Sequence, residues 1–232
     1  MNIRGIYKTS LINFPGRICT ILFTGGCNLR CRYCHNPELV LGSHELERYS
    51  TEYILSFMKK RKRLVNAVTL SGGEPTLDPD IEPFLKELKA AGLDVKLDTN
   101  GLNPSVTKIL AVEKLIDYAA VDVKTSPEKY NALTGRPVDF GTIKETIALL
   151  ADFHVPMEIR TTCVPGFAEI DDFEKIHQSL GRVNRYYIQQ FVPSDNLLDK
   201  EMSALKPYSS PELHERRAYI KSFADICEIR GE

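Results

Sequence analysis

Short apolar, strand-like runs alternate with amphipathic, helix-like stretches along most of the chain, and few folds accommodate that rhythm. Strand signals fall at residues 18–23, 67–70, 94–99, 118–123, 156–164 and 185–191. Helical periodicity falls at residues 51–62, 80–91, 104–113, 140–153, 171–180 and 209–226. Residues 80–91 are the clearest case: Ile81, Phe84, Leu85 and Leu88 recur at helical spacing, and Gly92 stops the run. Six strand–helix units with short connections predict parallel strands joined by right-handed crossovers. At 232 residues and 43% apolar content, the chain can bury the core that such an α/β fold needs. The pattern admits an open doubly wound sheet or an incomplete barrel. Either places ligands at the C-terminal ends of the strands. No linker or low-complexity tract interrupts the rhythm, which predicts a single domain over residues 1–232.

The strand-end rule can be checked within the sequence. A cysteine-rich loop follows the first strand, Gly72-Gly73-Glu74-Pro75 the second, and Asp98-Thr99-Asn100-Gly101 closes the third. Asp122-Val123-Lys124 ends the fourth, Arg160 lies in the fifth, and Gln189-Gln190 end the sixth. The unusual residues are therefore expected on one face.

The cysteine loop holds Cys27, Cys31 and Cys34 at C-x₃-C-x₂-C spacing, three of the six cysteines. Residues 1–9 lack the apolar core of a signal peptide, and no apolar run is long enough for a membrane span. A soluble, cytoplasmic protein with no membrane partner is the expectation, and there cysteines are more often ligands than disulfides. The net charge of -1, with scattered basic residues, offers no electrostatic footprint for nucleic acid. Three thiolates in eight residues can wrap one metal centre. Structural zinc wants four protein ligands, and His35 is awkwardly placed beside Cys34. A [4Fe–4S] cluster on three cysteines leaves one iron open for substrate. Unliganded thiols are the plainest alternative. Cys19, Cys163 and Cys227 read as core residues.

The C-x₃-C-x₂-C loop after a first strand, with Tyr33 just before its last cysteine, resembles the signature of the radical S-adenosylmethionine superfamily. Gly72-Gly73-Glu74-Pro75 resembles that family's glycine-rich motif for the methionine amino group. Tyr33-Cys34-His35-Asn36, Asp98-Thr99-Asn100-Gly101 and Asp122-Val123-Lys124 together resemble the activases of glycyl radical enzymes. The opening residues 8–16, Lys-Thr-Ser-Leu-Ile-Asn-Phe-Pro-Gly, are similar to the anaerobic ribonucleoside-triphosphate reductase activating branch. The resemblance covers nearly the whole chain, most firmly residues 5–124. It implies a partial (β/α)₆ TIM-type barrel of parallel strands. It implies a [4Fe–4S] cluster on Cys27, Cys31 and Cys34, whose open iron chelates S-adenosylmethionine. Reductive cleavage would yield a 5′-deoxyadenosyl radical that takes hydrogen from a glycine of a partner protein. That partner would be a glycyl radical enzyme, with flavodoxin or ferredoxin as electron donor.

The resemblance also implies site roles. Gly72 and Gly73 would let a ligand approach the backbone closely, and Glu74 would accept from its ammonium group. Asp98 and Asp122 would place the methionine carboxylate, with a monovalent cation admissible between them. Lys124 and Arg160 would meet that carboxylate or the ribose, and Asn100 the ribose. The backbone of Tyr33 and His35 and the tyrosine ring would pack against the adenine, and Asn36 and Val123 are further expected cofactor-binding residues. Some activases carry a ribose-contacting histidine after the sixth strand. Gln190 occupies the apparent place here. Plainer readings exist for each: turn formation for Glu74 and Asn100, loop capping for the aspartates, and ion pairs between those aspartates and Lys124 or Arg160. The alternative functions are an activase of another glycyl radical enzyme, a small-molecule radical S-adenosylmethionine enzyme of the queuosine-precursor ring-contracting (7-carboxy-7-deazaguanine synthase) kind, and a non-enzymatic iron–sulfur electron carrier.

Overall fold

The structure, a computed structural model, describes residues 1–231. Its eight strands form one sheet in sequential order. β1 (Ile3–Phe14) runs antiparallel to β2 (Arg17–Thr24). β3 (Ala67–Gly72), β4 (Asp94–Thr99), β5 (Tyr118–Asp122), β6 (Met157–Cys163), β7 (Val183–Gln190) and β8 (Ala224–Arg230) follow, each parallel to its predecessor. β1 and β8 are the sheet's two ends and do not pair with each other, so the barrel is partial. Between β2 and β3 lie α1 (Pro37–Leu41) and α2 (Thr51–Arg61). The later crossovers carry α3 (Ile81–Ala90), α4 (Pro104–Val112), α5 (Tyr130–Thr134), α6 (Phe140–Asp152), α7 (Ile170–Leu180) and α8 (Ser210–Ile220). The expected parallel α/β partial barrel is the fold observed, with the six expected strands forming β2 to β7.

Strand alternation sorts the side chains. Leu22, Val68, Leu70, Val95, Leu97, Ala119 and Val121 face outward into the main core beneath the helices. α3 shows how a helix docks there. Ile81, Phe84, Leu85 and Leu88 are buried on one face, each contributing about 1.5–3 kcal/mol of apolar transfer. Gly92, at φ +76°, turns the chain back toward β4 where a side chain would be strained. Leu85→Ala would cost about 2–5 kcal/mol by leaving a cavity.

Two elements correct the sequence-based reading. Residues 3–14 form a strand that the alternation did not reveal, because register shifts after Ile3, Tyr7 and Ser10 break its period. The predicted helix over 209–226 ends at Ile220, and residues 224–230 are the parallel strand β8. Ile220, Phe223, Ala224 and Cys227 are all buried, and their spacing imitates a helical stripe running across the turn.

Candidate functional site

The C-terminal ends of the strands open on a cleft of about 280 Å³. Cys27, Cys31, Tyr33, Cys34, His35 and Asn36 line it from the loop after β2. Gly72, Gly73 and Glu74 line it from the turn after β3, with Asp98, Asn100, Asp122 and Lys124 from the next two strand ends. Residues separated by nearly a hundred positions thus meet at one rim, as the strand-end rule requires.

The cysteine loop is held by main-chain bonds. Gly73 N–H donates to Thr24 O at 2.9 Å, and Glu74 N–H to Gly26 O at 2.8 Å. Arg30 and Arg32 N–H donate to Thr134 and Leu133 carbonyls of α5, and Leu198 N–H donates to Cys34 O. A Cβ on Gly73 would sit 1.9 Å from Gly26 O, and one on Gly72 2.4 Å from Thr24 N. The close backbone approach expected at these glycines is therefore an approach to the cysteine loop itself. Beneath the loop, Tyr33 packs with Leu133, Val164, Phe191, Leu197 and Met202 in a small apolar cluster.

None of the three loop cysteines is in a disulfide. Burial pushes the Cys31 thiol up to about 11, and raises Cys27 and Cys34 in the same direction. A metal centre would have to displace those protons. Among the described residues, no three Cys, His, Asp or Glu side chains gather to hold a single metal ion. All three thiols nevertheless line the one cleft.

Glu74 is buried and fully engaged. Its Oε1 accepts from Thr76 N–H, the Thr76 hydroxyl and the Thr99 hydroxyl, and its Oε2 accepts from Asn100 N–H at 2.7 Å. Desolvation raises its pKa against those bonds. Asn100 closes the Asn-Gly turn through Leu102 N–H and donates to Asn28 Oδ1 in the cysteine loop at 2.7 Å. His35 Nε2 lies 2.8 Å from Val192 O.

Asp98 and Asp122 share Arg160. Its Nη1 is 3.1 Å from Asp98 Oδ2, and its Nε donates to Asp122 Oδ1 at 2.9 Å. Lys96 Nζ meets Asp98 Oδ1 at 2.5 Å, and Lys124 Nζ lies 3.5 Å from Asp122 Oδ2. Burial alone would raise both carboxyls, but the guanidinium and ammonium charges outweigh it and hold them below the usual range. Burial would lower Lys124, yet Tyr33, Asp122 and Cys31 keep its pKa well above normal.

Three expected residues stand outside the cleft lining. Arg160 lies behind the aspartates, and Val123 is buried in the main core. Gln190 turns away from the cleft and donates to Tyr208 O at 2.7 Å, while Gln189 lines the cleft instead. Successive strand residues face opposite ways, and Tyr186 and Ile188 face the outer core, so Gln189 must face inward. The Tyr-Tyr and Gln-Gln doublets hid that parity. Ser71, Thr99 and the interior pair Lys96 and Glu158 were also missed. Charges two apart inside strands, Lys96 with Asp98 and Glu158 with Arg160, were the available signal.

Residues 21–180 match the Radical SAM superfamily. The chain belongs to the radical SAM superfamily. Within it, a Methanocaldococcus jannaschii protein provisionally named glycyl-radical enzyme activating enzyme is 34% identical over 235 residues, covering 98% of this chain and 95% of its own. The pyruvate formate-lyase-activating enzyme of Staphylococcus aureus strain USA300 is 31% identical over 202 residues, or 81% of this chain and 79% of that protein. Streptococcus suis SuiB bound to S-adenosylmethionine superposes with a TM-score of 0.68 at 16% identity, over 89% of this chain and 48% of SuiB. A radical SAM methyltransferase from Sphaerobacter thermophilus gives 0.70 at 13% identity, over 94% of this chain and 68% of that one. This chain thus spans about half the length of SuiB, and at such identities the likeness shows the fold alone.

Proposed function

We propose that this chain is an activase that generates a glycyl radical on a partner protein, the partner being an anaerobic ribonucleoside-triphosphate reductase. The observation that carries the reading is convergence. The three cysteines, the Gly72-Gly73-Glu74 turn and the Asp98, Asp122 and Lys124 side chains line one cleft. Cys27, Cys31 and Cys34 would hold a [4Fe–4S] cluster, and the polar wall beside them would hold S-adenosylmethionine. When bound, these groups would supply one-electron reductive cleavage of a sulfur–carbon bond and, from it, hydrogen abstraction from a glycine. The chain's own residues bind and orient. Lys124 brings positive charge toward a carboxylate, Arg160 holds Asp98 and Asp122 from behind the rim, and those aspartates balance the charge or admit a monovalent cation. The apolar packing around Tyr33 would help keep water from one side of the centre. A flavodoxin or ferredoxin would supply the electron. Relatives over nearly the full length support the activase reading, and the residues 8–16 opening supports the reductase as partner.

The test is anaerobic reconstitution with iron and sulfide, reduction, and addition of S-adenosylmethionine. We expect 5′-deoxyadenosine, and a glycyl doublet in electron paramagnetic resonance when an anaerobic ribonucleotide reductase is added. A doublet with pyruvate formate-lyase alone would reassign the partner, and no 5′-deoxyadenosine would remove the enzyme reading. Cys31→Ala is expected to abolish the cluster's absorbance and iron content.

A further inference from the structure

Inside the barrel, four charged side chains surround the methyl group of Ala120. Asp98 on β4 and Glu158 on β6 are its register partners on either side. Lys96 lies one inward position before Asp98, and Arg160 one after Glu158. Lys96 is 2.5 Å from Asp98 and 3.8 Å from Glu158, and Arg160 is 3.1 Å from Asp98, so opposite signs alternate around the ring. Ala120, small and wholly buried, stands between them on β5, across which Arg160 reaches Asp98. From the ring the charges continue upward to Asp122, which lines the cleft, and sideways to Arg230 on the last strand.

Arg230 grips Glu158 with both ends, Nη1 to Oε1 at 2.7 Å and Nη2 to Oε2 at 2.9 Å. Its guanidinium lies 3.6 Å over the Tyr187 ring. The Tyr118 hydroxyl also donates to Glu158. Without Arg230, the buried Glu158 carboxylate would keep only Lys96 at ion-pair distance. It would then compete for Lys96 and Arg160, the two cations that hold Asp98.

We propose that Arg230 is a positioning residue for the S-adenosylmethionine site: by satisfying Glu158, it keeps Lys96 and Arg160 committed to Asp98 and Asp122 at the cleft. The proposal rests on the reading that this cleft binds S-adenosylmethionine. It predicts a specific pattern of loss and rescue, because Arg230 matters only while Glu158 is charged.

The experiment measures S-adenosylmethionine dissociation constants anaerobically on cluster-loaded protein with the cluster oxidised. Cluster content and thermal midpoint are recorded beside them. Arg230→Met is expected to weaken binding about tenfold, with Arg230→Lys recovering most of it. The double variant Arg230→Met with Glu158→Gln is expected within about twofold of wild type, because the orphaned charge is gone. Unchanged affinity in Arg230→Met overturns the proposal. So does a double variant as weak as Arg230→Met, which would make the stacking on Tyr187 the cause. Should Arg230→Met not fold, the double variant decides alone: wild-type affinity supports the proposal and a tenfold loss overturns it. Wild-type protein that binds no S-adenosylmethionine would instead sink the reading of the cleft.

Discussion

The barrel interior has two halves built on different physics. On the β2–β3 side it is apolar: Cys19, Ile21 and Ala67 pack with Phe14 and Tyr118. On the β4–β6 side it is ionic: Lys96, Asp98, Glu158 and Arg160 are buried as a mutually compensating set. Transfer from water stabilises the first half directly. The second half is costly group by group and tolerable only as a whole, since each buried charge needs its partner. The ionic half lies beneath the part of the rim where Asp98 and Asp122 face the cleft. Within the barrel interior, buried charge is accepted beneath the cleft-facing carboxylates, and hydrocarbon fills the β2–β3 side.

Arg160→Met is expected to separate the halves most sharply. It removes the partner of two carboxylates and should cost about 3–5 kcal/mol, read as a fall in the urea midpoint. An effect below 1 kcal/mol would show that the ring is not a coupled set. On the apolar side, Ile21→Ala should cost about 2–5 kcal/mol through cavity formation.

The two losses should respond differently to acid. Asp98 and Asp122 have folded pKa values below their unfolded value of about 3.9. Their contribution is therefore present above that pH and is lost as pH falls through the lower folded values. Wild-type stability should decline only below about pH 4 on their account. In Arg160→Met the carboxyls lose their main attraction, so burial lifts their folded pKa values toward or past the unfolded one, and the acid-driven loss on their account should shrink or reverse. Ile21→Ala should lower the whole curve without moving its acid limb, as urea midpoints between neutrality and pH 3 would show. An acid limb unmoved by Arg160→Met would place the titrating carboxylates elsewhere. The smallest effect is expected at Cys19→Ala, about 1 kcal/mol with cluster content unchanged. Loss of iron in that variant would break the proposed division between core cysteines and cleft cysteines.

Much of this organisation was legible in the sequence. The six parallel units and the gathering of motifs at strand ends follow from hydrophobic period and one topological rule. What escaped notice did so for physical reasons. β1 is irregular because bulges spoil its alternation, and β8 hides behind Ile220, Phe223, Ala224 and Cys227, which imitate a helix. The inward charges Lys96 and Glu158 contradict the expectation that strand interiors are apolar, so composition reads them as surface. Gln189 and Gln190 differ only in parity, and one residue decides which of them reaches the cleft.

The lacing between the cysteine loop and the turn after β3 has one more consequence. Gly25, Gly26, Gly72 and Gly73 set the loop's position through peptide groups, and no cysteine sulfur takes part in those bonds. The contacts of these glycines and the thiols of the loop are thus carried by different residues. Replacing all three cysteines would remove the thiols, and with them the Leu29 N–H bond to Cys27 Sγ, while keeping the glycine contacts. Such a chain would be a shape-faithful blank, able to report which partner surfaces recognise the protein's contour and which wait for the iron.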